Sequence, residues 1–196
     1  MNIRTSLKSN KYKLIFIGVL FLIGIFFGII IFFKQPNIIK ENISLQLELF
    51  TQVITSNRVN QLLYHLIILI ILFILNFTVI GFLGTIFYLF YEGCSFGFSV
   101  AIFTYKYKLS GLLFSILFNI VTKFCFLLLL MYVSYKGITV IKRVIGSIVL
   151  KQNDITYLFI KRNLTVLSII ISISLISDIL LYAVGSKVVQ LFLFLL

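Results

Sequence analysis

Glu92, Lys123 and Asp178 are the residues of this chain whose chemistry conflicts most with their surroundings, because each lies inside a long run of apolar side chains. An ionisable group at the centre of a membrane helix costs about 2.5 kcal/mol or more, so it faces a partner or a wet cavity. If the apolar runs are membrane helices rising about 1.5 Å per residue, then counting from the cytoplasmic ends Glu92 lies about 15 Å deep, Lys123 about 18 Å and Asp178 about 21 Å. All three can meet near the midplane. Lys123 is expected to pair with at least one of the acids, with Asn119 one helical turn away adding a hydrogen bond. Two uses are open to such a cluster: a buried ion pair that fixes helix register, or an ion or proton pathway.

Other reactive groups are sparse. The one histidine, His65, is expected at the outer edge of a membrane span, as an interfacial polar residue. Cys94 and Cys125 fall in different spans without metal-ligand spacing, and read as small packing residues. No Walker loop, nucleotide fingerprint or histidine cluster occurs. No catalytic, metal or cofactor site is expected, and the chain does not read as an enzyme.

The elements that must position these residues follow from composition. Of 196 residues, 61% are hydrophobic and 11% charged, against about half and about a quarter in a soluble domain. A water-soluble globule is excluded. A span needs about 20 apolar residues, and 14–33 supply them; this run is too long for the apolar part of a signal peptide and is expected to stay as the first span. Leu62 to Thr104 is 43 residues, about 65 Å of helix, or two spans. The break is expected at Gly81 to Gly84, giving spans at 62–80 and 83–104. Further spans at 110–135 and 164–185 complete an all-α bundle of five transmembrane helices forming one membrane domain.

Seventeen Lys and Arg against five Asp and Glu give a net charge of +12, which in a membrane protein points to lipid headgroups and not to nucleic acid. With the N-terminus cytoplasmic, Arg4, Lys8, Lys11 and Lys13 fall inside, as do Lys136, Lys142, Arg143, Lys151, Lys161 and Arg162 of the loop 136–163. Lys34, Lys40, Arg58, Lys106, Lys108 and Lys187 fall outside, a bias in the expected direction. The outer loop 34–61 is expected to carry a short surface helix near 43–54. Within 136–163, residues 138–150 could lie flat on the inner face. Gly24 with Gly28, and Gly93 with Gly97, are four residues apart, so each pair shares a helix face that lets another helix approach, within this chain or in a dimer.

FLIGIFFG at 21–28, NFTVIG at 76–81, EGCSFGFSV at 92–100, Gly111 opening the fourth span and FNI around Asn119 together resemble the stage II sporulation protein M family. Order and spacing along nearly the whole chain carry the resemblance. Leu117 and Phe124 stand where that family usually has proline, which removes the basis for a kinked fourth span, and Lys123 is not a family feature. The resemblance implies a non-catalytic scaffold of the mother-cell membrane at the sporulation septum. It would hold two peptidoglycan-degrading partners, the stage II sporulation proteins D and P, during forespore engulfment. A small permease or channel subunit using the midplane charges is the other reading.

Overall fold

The computed structural model describes residues 3–43, 45, 58–149, 161–177 and 179, and among them every regular element is a helix. The helices are α1 (Ile3–Lys34), α2 (37–43), α3 (Arg58–Leu75), α4 (Val79–Val149) and α5 (161–177). Among the described residues, three helical stretches are long and apolar enough to cross a membrane: Lys11–Lys34, Ile80–Ile120 and Lys123–Lys142. Tyr64–Leu75 is a shorter apolar helix. On α1 the buried positions are Ile17, Gly24, Gly28 and Phe32, a stripe at helical spacing, while Leu14, Phe16, Leu22, Phe26 and Phe33 point outward. A helix that is apolar all round needs lipid or protein on every side. The described residues are all-helical, and helices of this length and apolarity make it a membrane protein.

The turn between α3 and α4 falls at 76–78 and not at Gly81 to Gly84, which both lie inside α4. The physical cause is capping. The Thr78 hydroxyl accepts the Gly81 N–H at 3.0 Å and donates to the Leu75 carbonyl at 2.9 Å, so it satisfies one of the orphan donors that start a helix. Asn76, 3% exposed, fastens the turn to the bundle. Its amide nitrogen donates to the Val133 carbonyl at 3.3 Å, and its amide oxygen accepts from the Thr85 hydroxyl at 3.0 Å. A Cβ on Gly137 would come within 2.6 Å of that oxygen, and one on Gly81 would overlap the Leu75 backbone. Gly81 therefore serves close approach just after the turn. The helix expected at 62–80 accordingly lies about one helical turn earlier, at Arg58–Leu75, and the next helix starts at Val79.

α4 is a hairpin of two helical arms, because Lys108 has φ 54° and ψ −129°. That is the one break in its helical dihedrals, and it lies in the expected connector 105–110. Across it the Phe103 and Phe114 rings sit 5.0 Å apart, and a Cβ on Gly111 would overlap the Phe103 backbone. A non-glycine residue in this region costs about 1–3 kcal/mol, while glycine adopts it freely. Lys108→Gly is expected to stabilise the protein by about 1 kcal/mol, read as a higher thermal midpoint in detergent micelles; an unchanged or lower midpoint would contradict the strain.

The second arm runs without interruption to Val149. Residues 138–149 therefore extend the fourth helix instead of forming a separate surface helix, and 136–149 of the expected basic loop is helical. No proline interrupts this stretch, and Gly137 is held by packing on Asn76. The arm measures about 60 Å, roughly twice a bilayer core, so it projects beyond one face.

After α1, the Pro36 carbonyl accepts the N–H groups of Ile39 and Lys40 at 3.0 and 3.1 Å and opens α2. The surface helix expected near 43–54 lies, apart from residues 43 and 45, outside the described residues. So do Asp178 and residues 180–185 of the expected fifth span 164–185. The described part, α5, inserts Ile170 into the core.

Candidate functional site

Two apolar clusters flank a polar layer. One gathers Ile17, Leu69, Phe73, Leu89, Leu130, Val133 and Ile170; the other gathers Phe32, Ala101, Phe103 and Phe114 around the α4 hairpin. Glu92 falls between Leu89 and Ala101 on the first arm, and Lys123 between Phe114 and Phe126 on the second. The antiparallel register of the hairpin brings the two to one level.

There the Lys123 Nζ lies 3.4 Å from the Glu92 Oε2. The Tyr88 hydroxyl, one turn back on the same arm, donates to Oε1 at 2.9 Å. Both carboxylate oxygens thus have donors, as a carboxylate that is 6% exposed requires. The Lys123 side chain keeps 21% of its surface accessible.

Asn119 does not complete this pair. Its amide nitrogen donates to the Ser99 hydroxyl and to the Ser115 carbonyl, both at 2.8 Å. That uses both amide protons one turn nearer the Lys108 turn and pins the two arms in register there. Asp178, the other acid considered for Lys123, lies outside the described residues.

His65 is not at the rim of its helix. Because the turn is at 76–78, His65 stands about 16 Å up from it, at mid-height of α3 and 7% exposed. Its ring stacks on Phe126, with centroids 4.3 Å apart and planes at 19°. It lies within electrostatic reach of Lys123 and Glu92. Tyr64, on the neighbouring position of α3 and 56% exposed, lies within electrostatic reach of Tyr88. Sequence reasoning overlooked Tyr88 and Tyr64. The four-residue spacing of Tyr88 and Glu92 was a signal for the first, since such pairs are neighbours on a helix; nothing along the chain marked the second.

No family model, curated protein or solved structure matches this chain. Its functional reading therefore rests on its own residues. Among the described residues no three of His, Cys, Asp and Glu gather as a metal-binding group. Cys94 and Cys125 are partly buried free thiols.

The glycines form the second half of the site. A Cβ on Gly24 would lie 2.5 Å from the Phe90 carbonyl oxygen and 3.1 Å from the Gly93 Cα, and one on Gly93 would lie 2.5 Å from the Phe21 carbonyl oxygen. Cβ atoms on Gly28 and Gly97 would overlap the backbones of Cys94 and Ile25. The two pairs therefore face each other within one chain. Residue numbers rise together along the seam, so α1 and the first arm of α4 run parallel. The backbones meet directly, which in lipid gives the dispersion contact that burial of apolar surface cannot.

Proposed function

We propose that the chain is a five-span, non-catalytic membrane scaffold with a cytoplasmic N-terminus, which holds peptidoglycan-degrading partners of the stage II sporulation D and P type. It would act in the mother-cell membrane at the sporulation septum, during forespore engulfment. The observation that carries the reading is the packing of the residues behind the resemblance. Gly24, Gly28, Gly93 and Gly97 form one seam, Gly81 and Gly111 sit at the two tight hairpins, and Asn76 and Asn119 pin helices together. A bundle so locked suits a protein that holds others in place. The five-span topology is supported by helix direction: α1 runs parallel to the first α4 arm and antiparallel to the second, as spans one, three and four of an alternating bundle must. The excess of cations inside supports the orientation.

In a spore-forming host, deletion of the gene is expected to stall membrane migration around the forespore and to disperse a labelled partner hydrolase from the septum. Normal engulfment with the hydrolase in place would reject the scaffold. The second reading, a small permease or channel subunit, is favoured by one observation, the grouping of His65 with Glu92 and Lys123 at mid-height. Solute flux into vesicles holding the purified protein, lost on Lys123→Met, would promote it.

A further inference from the structure

The end of the bundle opposite the Lys108 turn concentrates positive charge on two helices at once. The Lys13 Nζ donates to the Thr139 hydroxyl at 3.2 Å and lies 5.4 Å from the centre of the Tyr135 ring. Lys142, three residues beyond Thr139 and so on the same helix face, is exposed and repels the Lys13 ammonium through space. Lys136 extends the same end, with its Nζ 5.5 Å above the Tyr132 ring. The carboxylates among the described residues are Glu41, beyond the far end of α1, and Glu92, in the mid-height layer. Neither can neutralise this group.

Two independent counts put these lysines at headgroup level. Lys13 immediately precedes the apolar run 14–33, and Lys142 closes the apolar helical stretch Lys123–Lys142, three residues after Thr139. Like charges held together at the edge of a low-dielectric slab are relieved by an anion, and the anion present at that depth in every cell membrane is a lipid phosphate. Tyr135 and Tyr132 add the aromatic bodies that suit the same interface.

We propose that Lys13, Thr139 and Lys142 form a binding site for the phosphate of an anionic phospholipid, clasped between α1 at the edge of its apolar run and the second arm of α4. The lipid bridges two helices that are far apart in sequence, so it ties the first span to the fourth at the membrane face. The acyl chains lie along the apolar outer surface of α1. This inference is independent of which partners the bundle holds.

The test uses the full chain purified in neutral detergent micelles, titrated with phosphatidylglycerol, with phosphatidylcholine or with inorganic phosphate, and read by thermal midpoint and by lipid retained in native mass spectrometry. Phosphatidylglycerol is expected to raise the midpoint and stay bound, while phosphatidylcholine and free phosphate do neither. Lys142→Gln, on an exposed side chain that the fold does not need, is expected to weaken phosphatidylglycerol binding about five-fold, and Lys13→Gln by a similar factor. Lys34→Gln, at the other end of α1, should leave binding unchanged. The proposal is overturned if Lys142→Gln binds phosphatidylglycerol like the parent, if phosphatidylcholine is retained equally, or if inorganic phosphate alone reproduces the midpoint shift.

Discussion

Lys123→Met is expected to lower the stability of the bundle by about 3 kcal/mol, at the lower end of what breaking a buried ion pair costs. Methionine matches the length of the lysine stem, so packing is kept and the loss isolates the charge. Glu92, 6% exposed, would keep the Tyr88 hydroxyl as a donor, and its negative charge would be uncompensated. Glu92→Gln should be milder. The amide still accepts from Tyr88, and Lys123, with 21% of its side-chain surface accessible, can turn its ammonium away. The double variant Glu92→Gln with Lys123→Met is expected to recover most of the lost stability, because two neutral groups of similar shape carry little desolvation penalty. Thermal unfolding of the four proteins in one detergent closes the cycle. A single Lys123→Met variant as stable as the parent would show that the pair contributes nothing.

Gly97→Ala is expected to cost at least about 1–3 kcal/mol, the range for overpacking a well-fitted interior. Its Cβ would overlap the Ile25 backbone, and a backbone cannot turn aside as a side chain does. Gly28→Ala meets the Cys94 backbone in the same way and should behave alike. Gly18→Ala and Gly84→Ala are the controls, since a Cβ at either has nothing within 4 Å. They should be neutral or stabilising by up to about 1 kcal/mol through helix propensity. If all four variants unfold at the same temperature, α1 and α4 do not meet along this seam.

Helices and lipid were legible in the sequence because both depend on local composition. Residues 14–33 carry no charge over a length that spans a bilayer, and no arrangement of the rest of the chain could make that run soluble. The four-residue glycine spacing likewise marked a helix face for close approach. What it approached was not marked, since Gly24 and Gly93 are far apart in sequence and only packing brings their backbones together.

The turn at 76–78 shows where local reading ended. Glycine was the conspicuous breaker in an apolar stretch, yet Asn76 and Thr78 supply the side-chain oxygens that satisfy backbone and neighbouring groups at a helix boundary. Asn followed two residues later by Thr was a readable turn and cap signal. Its strength came from Val133 and Gly137, which belong to another helix. Moving the turn by about one helical turn took His65 from the expected rim to mid-height, and Asn119 likewise bonded to Ser99 across the hairpin instead of to the ion pair.

Residue types along the chain already make this a helical membrane protein with costly charges at Glu92 and Lys123, because the cost of exposing hydrocarbon to water, or charge to lipid, is set residue by residue. Tertiary structure sets which groups meet: Tyr88 and Lys123 on the Glu92 carboxylate, His65 on Phe126, glycine against glycine, and Lys13 on Thr139. Those choices depend on register between distant helices, and register is fixed by caps and backbone contacts that a chain displays only once it is folded.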